Sequence, residues 1–78
     1  MRTIDLKDVE TILRDTFPTA TLSGSLQDLK LGDIEGWDSL GNFNLLLAFE
    51  EFYNVRFGTD EMAGLHSIAN IIDALKGK

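Results

Sequence analysis

Ser39 has the side chain with the clearest potential for chemistry, because its hydroxyl follows Asp38 and precedes a long apolar and acidic segment. A serine nucleophile needs a neighbouring base, usually a histidine, held in place by a third group. The only histidine is His66, and no known spacing links it to Ser39. The chain also lacks the nucleophile-elbow and Ser-x-x-Lys patterns. We therefore predict no catalytic residue, and His66 is interpreted as an ordinary polar residue.

Two interpretations of Ser39 remain. The simpler one is a residue that starts a helix, since serine is common there. The other is a hydroxyl that a separate enzyme esterifies with a phosphodiester, because free N–H groups and the helix dipole favour an anion at a helix start. Such modification requires no local base. The attached group could also bring a thiol, which this cysteine-free chain lacks.

Acidic residues form two groups, but neither has the spacing of a calcium loop. The groups are Asp28, Asp33 and Glu35, and then Asp60 and Glu61. An EF-hand requires acids at alternate positions and a glutamate at the twelfth, which neither group provides. We interpret these side chains as solvated acids and expect no metal site.

The bulk properties predict one small globular domain over residues 1–78, with 44% apolar residues for its core. The net charge of −6 argues against nucleic acid and anionic membranes as partners. It favours proteins with basic patches. No apolar run approaches the length of a membrane span, and the start has no signal-peptide pattern, so we expect a cytoplasmic monomer without stable membrane insertion.

Helical periodicity predicts an all-α fold with three main helices, one short helix and no strand. The first helix is predicted over Asp5–Thr16, with Asp5 or Thr3 as its cap. A loop of roughly twenty residues follows, with one helical turn near Ser25–Leu29. The second helix is predicted to start at Asp38 or Ser39 and to end at Tyr53, with Asn54 as its stop signal.

The remaining predicted elements are a brief helix and a last long helix, each with a candidate cap. Thr59 is predicted to cap the brief helix, and Ser67 the last one. The fold class is therefore a small four-helix bundle with a long first loop.

The second helix has two apolar faces. Its broad side, the predicted core face, carries Leu45, Leu46, Phe49, Phe52 and Tyr53. The opposite side carries Leu40, Phe43 and Leu47, with Glu50 and Glu51 beside its end. Either the helix is buried all round, or the second face is an exposed strip that binds a partner. A small bundle has few ways to cover every side of one helix, which favours the strip; we expect Leu40 to be its most buried member.

The segment GWDSL at residues 36–40, followed by LLLAFEEFYNVRF at 45–57, resembles an acyl carrier protein. The resemblance covers most of the chain, from the first helix to the final IIDAL. It implies that Ser39, in the Asp38-Ser39-Leu40 motif, receives 4′-phosphopantetheine from coenzyme A through a magnesium-dependent phosphopantetheinyl transferase. The thiol of this arm would carry an acyl group as a thioester, on a right-handed four-helix bundle.

The same resemblance implies that the second helix is the main recognition element. Its apolar strip would meet acyl-activating, acyl-transferring and chain-modifying enzymes, and its acids would meet their basic patches. Gly41 and Asn44 stand where housekeeping fatty-acid carriers usually have acids, and Phe43 and Trp37 are larger than usual. We therefore expect a specialised carrier, in polyketide, modified-lipid, sugar or aminoacyl biosynthesis.

Two alternatives remain open at this stage. One is an aminoacyl or peptidyl carrier of the same fold. The other is an unmodified helical adaptor that docks a partner on the apolar strip.

Overall fold

The first helix, α1, spans Leu6–Thr16 in a computed structural model that describes residues 3–22 and 24–78. The Asp5 carboxylate accepts a hydrogen bond from the Lys7 N–H at 2.9 Å, so Asp5 is the N-cap, one of the two residues predicted. Pro18 follows two residues after the helix ends, as expected. The face of α1 that enters the core consists of Val9, Ile12 and Leu13.

The long connection after α1 is ordered by hydrogen bonds to a distant segment. It contains one 3₁₀ turn at Leu26–Asp28, inside the predicted range. The Leu31 N–H donates to the His66 carbonyl oxygen at 2.7 Å, and the Ile68 N–H donates to the Leu29 carbonyl oxygen at 3.0 Å. The connection is thereby held against the start of the last helix.

The second helix, α2, spans Ser39–Tyr53, as predicted. Asp38 caps its start, and Asn54 ends it with a left-handed backbone at φ 55°. The buried apolar side chains of α2 are Leu45, Leu46 and Phe49. The assignment of Phe52 to the core was wrong.

Phe52 is 49% exposed because it lies in the last turn of α2, at the edge of an open groove between α1 and α2. Its ring meets the half-buried Tyr53 edge to face, with ring centroids 4.9 Å apart.

The short helix, α3, spans Thr59–Met62 and has no buried residue. The prediction that Thr59 caps it was wrong. Gly58 occupies the cap position with extended backbone, and its N–H donates to Glu61 Oε1 at 3.1 Å. A glycine cap works here because the glutamate side chain reaches back and satisfies the cap N–H.

The last helix, α4, spans Ile68–Lys76, and Ser67 caps it as predicted, by accepting from the Asn70 N–H at 3.2 Å. Its buried face consists of Ile68, Ile71, Ile72 and Leu75. The fold over residues 3–22 and 24–78 is thus a small compact all-α protein with four helices and no strand. Within those residues, no helix combines the length and the apolar character that crossing a membrane requires.

Candidate functional site

Ser39 is exposed and is the first residue of the fifteen-residue helix α2. The carboxylate of Asp38 accepts from the Gly41 N–H at 2.8 Å, and the Asp38 carbonyl accepts from the Asn42 N–H at 2.7 Å. The Ser39 hydroxyl forms no hydrogen bond with any other described residue. The capping function belongs to Asp38, and the hydroxyl of Ser39 is free to react.

A close contact between two glycines fixes the chain just before Ser39. Gly36 has a positive φ of 89°, and its carbonyl lies against Gly41 on the first turn of α2. A Cβ at position 41 would overlap the Gly36 carbonyl oxygen and would lie 3.0 Å from the Phe17 ring. No larger side chain fits at position 41, which explains why this chain has no acid there.

A buried polar network lies directly beneath the helix start. The Trp37 indole N–H donates to Asn42 Oδ1 at 2.9 Å, and Asn42 Nδ2 donates to the Leu65 carbonyl oxygen at 3.0 Å. Trp37 is 1% exposed, Asn42 is 6% exposed, and the Trp37 ring stacks on Phe17. Asn42 was not predicted as a site residue from the sequence. It could have been suspected because it is a polar residue on the core face of α2, close in sequence to the indole donor of Trp37.

An open cleft of about 290 Å³ lies beside Ser39, between α2 and α3. Its α2 wall includes Ser39, Phe43 and Leu46, and its other wall includes Thr59 and Met62. Asn42 also lines the cleft. Apart from its amide and the Ser39 and Thr59 hydroxyls, the lining side chains are apolar. The cleft can therefore receive an apolar portion of a group attached at Ser39.

The apolar strip on α2 is exposed: Leu40, Phe43 and Leu47 are 70%, 48% and 43% exposed. The hypothesis of a helix buried all round is therefore wrong. The expectation that Leu40 is the most buried of the three is also wrong. Trp37 turns into the core and Gly36 contacts the Gly41 side of the helix, so the loop leaves Leu40 uncovered.

The two acids near the end of the strip have different surroundings. Glu50 is partly buried and accepts from the Phe57 N–H at 2.7 Å, so this carboxylate ties α2 to the segment before α3. Glu51 is exposed and lines a shallow groove with Leu47. Of the two, Glu51 is the one whose carboxylate is open to a basic partner.

The short helix α3 carries one perturbed carboxylate, which does not line the cleft. The hydrogen bond from Lys78 Nζ to Glu61 Oε1, at 3.0 Å, holds the pKa of Glu61 below its ordinary value. The same ammonium group lies 5.4 Å from the centre of the Phe57 ring. The last residue of the chain therefore holds α3 against the segment that precedes it.

His66 is exposed, and its ring forms no hydrogen bond with Ser39. Within residues 3–22 and 24–78, no three histidine or acidic side chains converge in the way a metal ion requires. A comparison with protein-family models, curated proteins and solved structures finds no match.

Proposed function

We propose that the chain is an acyl carrier protein that holds its cargo as a thioester on a 4′-phosphopantetheine arm at Ser39. The observation that carries this proposal is the exposed, unengaged hydroxyl of Ser39 at the capped start of α2. The proposed architecture is the right-handed four-helix bundle of such carriers.

The start of α2 suits a phosphodiester. The N–H groups of the first helical turn and the positive end of the dipole stabilise an anion. The Asp38 carboxylate already accepts a hydrogen bond from the Gly41 N–H, so the N-cap stays formed whether or not Ser39 is esterified. The bound arm supplies the thiol for thioester chemistry, since the chain has no cysteine. Phe43, Leu46 and Met62 offer an apolar surface beside the attachment point.

Partner enzymes would be recognised through the exposed strip Leu40, Phe43 and Leu47. Half-exposed apolar side chains in one row are typical of a surface that is covered on binding. Glu51, at the end of the strip, would meet a basic residue of the partner, and the net charge of −6 would steer the encounter. The first turn of α2 contains no acidic residue. This favours recognition by specialised partner enzymes over recognition by the enzymes of housekeeping fatty-acid synthesis.

The test is modification with coenzyme A, magnesium and a broad-specificity phosphopantetheinyl transferase, followed by intact-mass measurement. The expected result is a gain of one phosphopantetheine on the wild type and none on Ser39→Ala. Ser25→Ala is the matched control, because Ser25 is also exposed at the start of a helical turn, and this variant should be modified like the wild type. An unmodified wild type, in a reaction that converts a control carrier, would overturn the proposal.

The exposed strip also supports a second candidate, an unmodified adaptor, since a docking surface does not depend on the serine. The absence of modification together with retained partner binding would favour it. Loading assays with acyl and aminoacyl donors would separate an acyl carrier from an aminoacyl carrier.

A further inference from the structure

Core packing explains the position of α3 only in part. None of its four residues is fully buried, and of these four only Met62 packs against the core, where it is partly buried. Thr59 and Met62 nevertheless form one side of the cleft that faces Ser39. A helix of this length is not stable by itself. Besides the Met62 contact, its place is therefore set by contacts at its two ends.

Before α3, Phe57 is buried in the core and its N–H donates to the partly buried Glu50 carboxylate. Within the first turn, the contacts are exposed or half-exposed, since Glu61 accepts from the Gly58 N–H and from Lys78. After its end, two asparagine side chains hold the backbone. Asn70 Nδ2 donates to the Gly64 carbonyl oxygen at 3.0 Å, and Asn42 Nδ2 donates to the Leu65 carbonyl oxygen at 3.0 Å. Only the Asn42 bond is buried, and Asn42 alone connects this segment to α2 through such a bond.

The chemistry of both partners suits a carboxamide at position 42. The Trp37 indole N–H is only a donor and the Leu65 carbonyl is only an acceptor, so the bridging side chain must accept on one side and donate on the other. These bonds also fix which end of the Asn42 amide is oxygen. Because the site is buried, losing either bond leaves an unsatisfied polar group.

We propose that Asn42 is a positioning residue that places α3 opposite Ser39 and thereby sets how enzymes recognise the attachment site. Asn42 lies one helical turn after Ser39, and its side chain reaches Leu65, three residues beyond α3. An enzyme that docks on Ser39 and Phe43 must also accommodate Thr59 and Met62 across the cleft. This inference rests on the proposed carrier function, but its structural half can be tested separately.

The kinetic test compares Asn42→Leu with wild type in the transferase reaction. Leucine is similar in size to asparagine but can neither donate nor accept a hydrogen bond. The segment after α3 therefore loses its buried hydrogen bond to α2. We expect KM for the carrier to rise roughly three- to tenfold, the equivalent of one hydrogen bond, with a smaller change in kcat. Ile71→Val is the matched control: it weakens the core from α4, where Ile71 is fully buried, without touching the cleft, so its KM should match the wild type.

The structural test uses nuclear Overhauser effects between the Phe43 ring and the Met62 methyl group, two residues that line the cleft from opposite sides. These signals should be present in wild type and Ile71→Val and should be lost in Asn42→Leu. If Asn42→Leu does not fold, Asn42→Ser is used, since its side chain is too short to reach Leu65.

Unchanged signals in the Asn42 variant, or an equal rise in KM for Ile71→Val, would overturn the positioning role. A wild type that is never modified would instead overturn the carrier function. In that event the nuclear Overhauser comparison still decides whether Asn42 positions α3.

Discussion

The indole N–H of Trp37 donates to Asn42 Oδ1 at 2.9 Å, across the start of α2. Ser39 lies between these two residues, so both sides of the serine are fixed to the core while its hydroxyl faces solvent. A rigid backbone with a free hydroxyl is what a modifying enzyme needs in order to bind the same geometry at each encounter.

Trp37→Phe tests the contribution of this bond to stability. The phenyl ring keeps much of the apolar contact but leaves the buried Asn42 oxygen without its donor. We expect the free energy of unfolding to fall by about 1–3 kcal/mol, as measured by urea denaturation followed by circular dichroism. An unchanged midpoint would show that the bond contributes no net stability.

Leu47→Lys tests the apolar strip. Because Leu47 is 43% exposed, we expect the free energy of unfolding to change by about 1 kcal/mol or less, while the KM of a partner enzyme rises. Gln27→Lys is the control, since it makes the same charge change at an exposed position outside the strip. If Leu47→Lys unfolds the protein, the strip belongs to the core; if both variants raise KM equally, charge alone is responsible.

Gly41→Ala tests the contact between the loop and α2. The new methyl group would overlap the Gly36 carbonyl oxygen, so the loop before Ser39 must move. We expect a loss of about 1–3 kcal/mol in unfolding free energy and slower modification of Ser39. Gly64→Ala, whose new methyl group would meet its nearest atom at 3.8 Å, should have little effect on either measurement. If Gly41→Ala has the unfolding free energy and the modification rate of the wild type, the loop before Ser39 can move at little cost in free energy.

Lys78→Ala tests the pairing that holds α3. The hydrogen bond from Lys78 lowers the pKa of Glu61 in the folded protein, so its stabilisation is present above the ordinary glutamate value of 4.5 and is lost as the pH falls through the folded value. In a carboxyl ¹³C NMR titration, the pKa of Glu61 should rise in Lys78→Ala. Lys76→Ala should leave it unchanged, and an identical pKa in wild type and Lys78→Ala would contradict the pairing.

The starts of the three longer helices and the end of α2 could be predicted from the sequence because they depend on local chemistry. Asp5, Asp38 and Ser67 accept hydrogen bonds from the first turns that follow them, and Asn54 adopts a left-handed backbone. These properties follow from neighbouring residues alone.

Burial was harder to predict because it depends on which other elements pass nearby. Phe52 was assigned from the helical wheel and Leu40 from its closeness to the loop, and neither gives the extent of the neighbouring elements. Asn42 was missed for a related reason: a polar residue on a core face has a role only when its partners are known, and the partner Leu65 lies far away in sequence.

The antiparallel bridge between Lys30 and Ser67 has a consequence for biosynthesis. The bridge joins the middle of the long connection to the cap residue of α4, so the connection cannot reach its native position before residue 67 has left the ribosome. Leu65, which anchors the Ser39 segment through Asn42, is also translated well after Ser39. The serine therefore gains its native surroundings only after residues 65–67 have left the ribosome, and an enzyme that recognises those surroundings would not modify a shorter nascent chain.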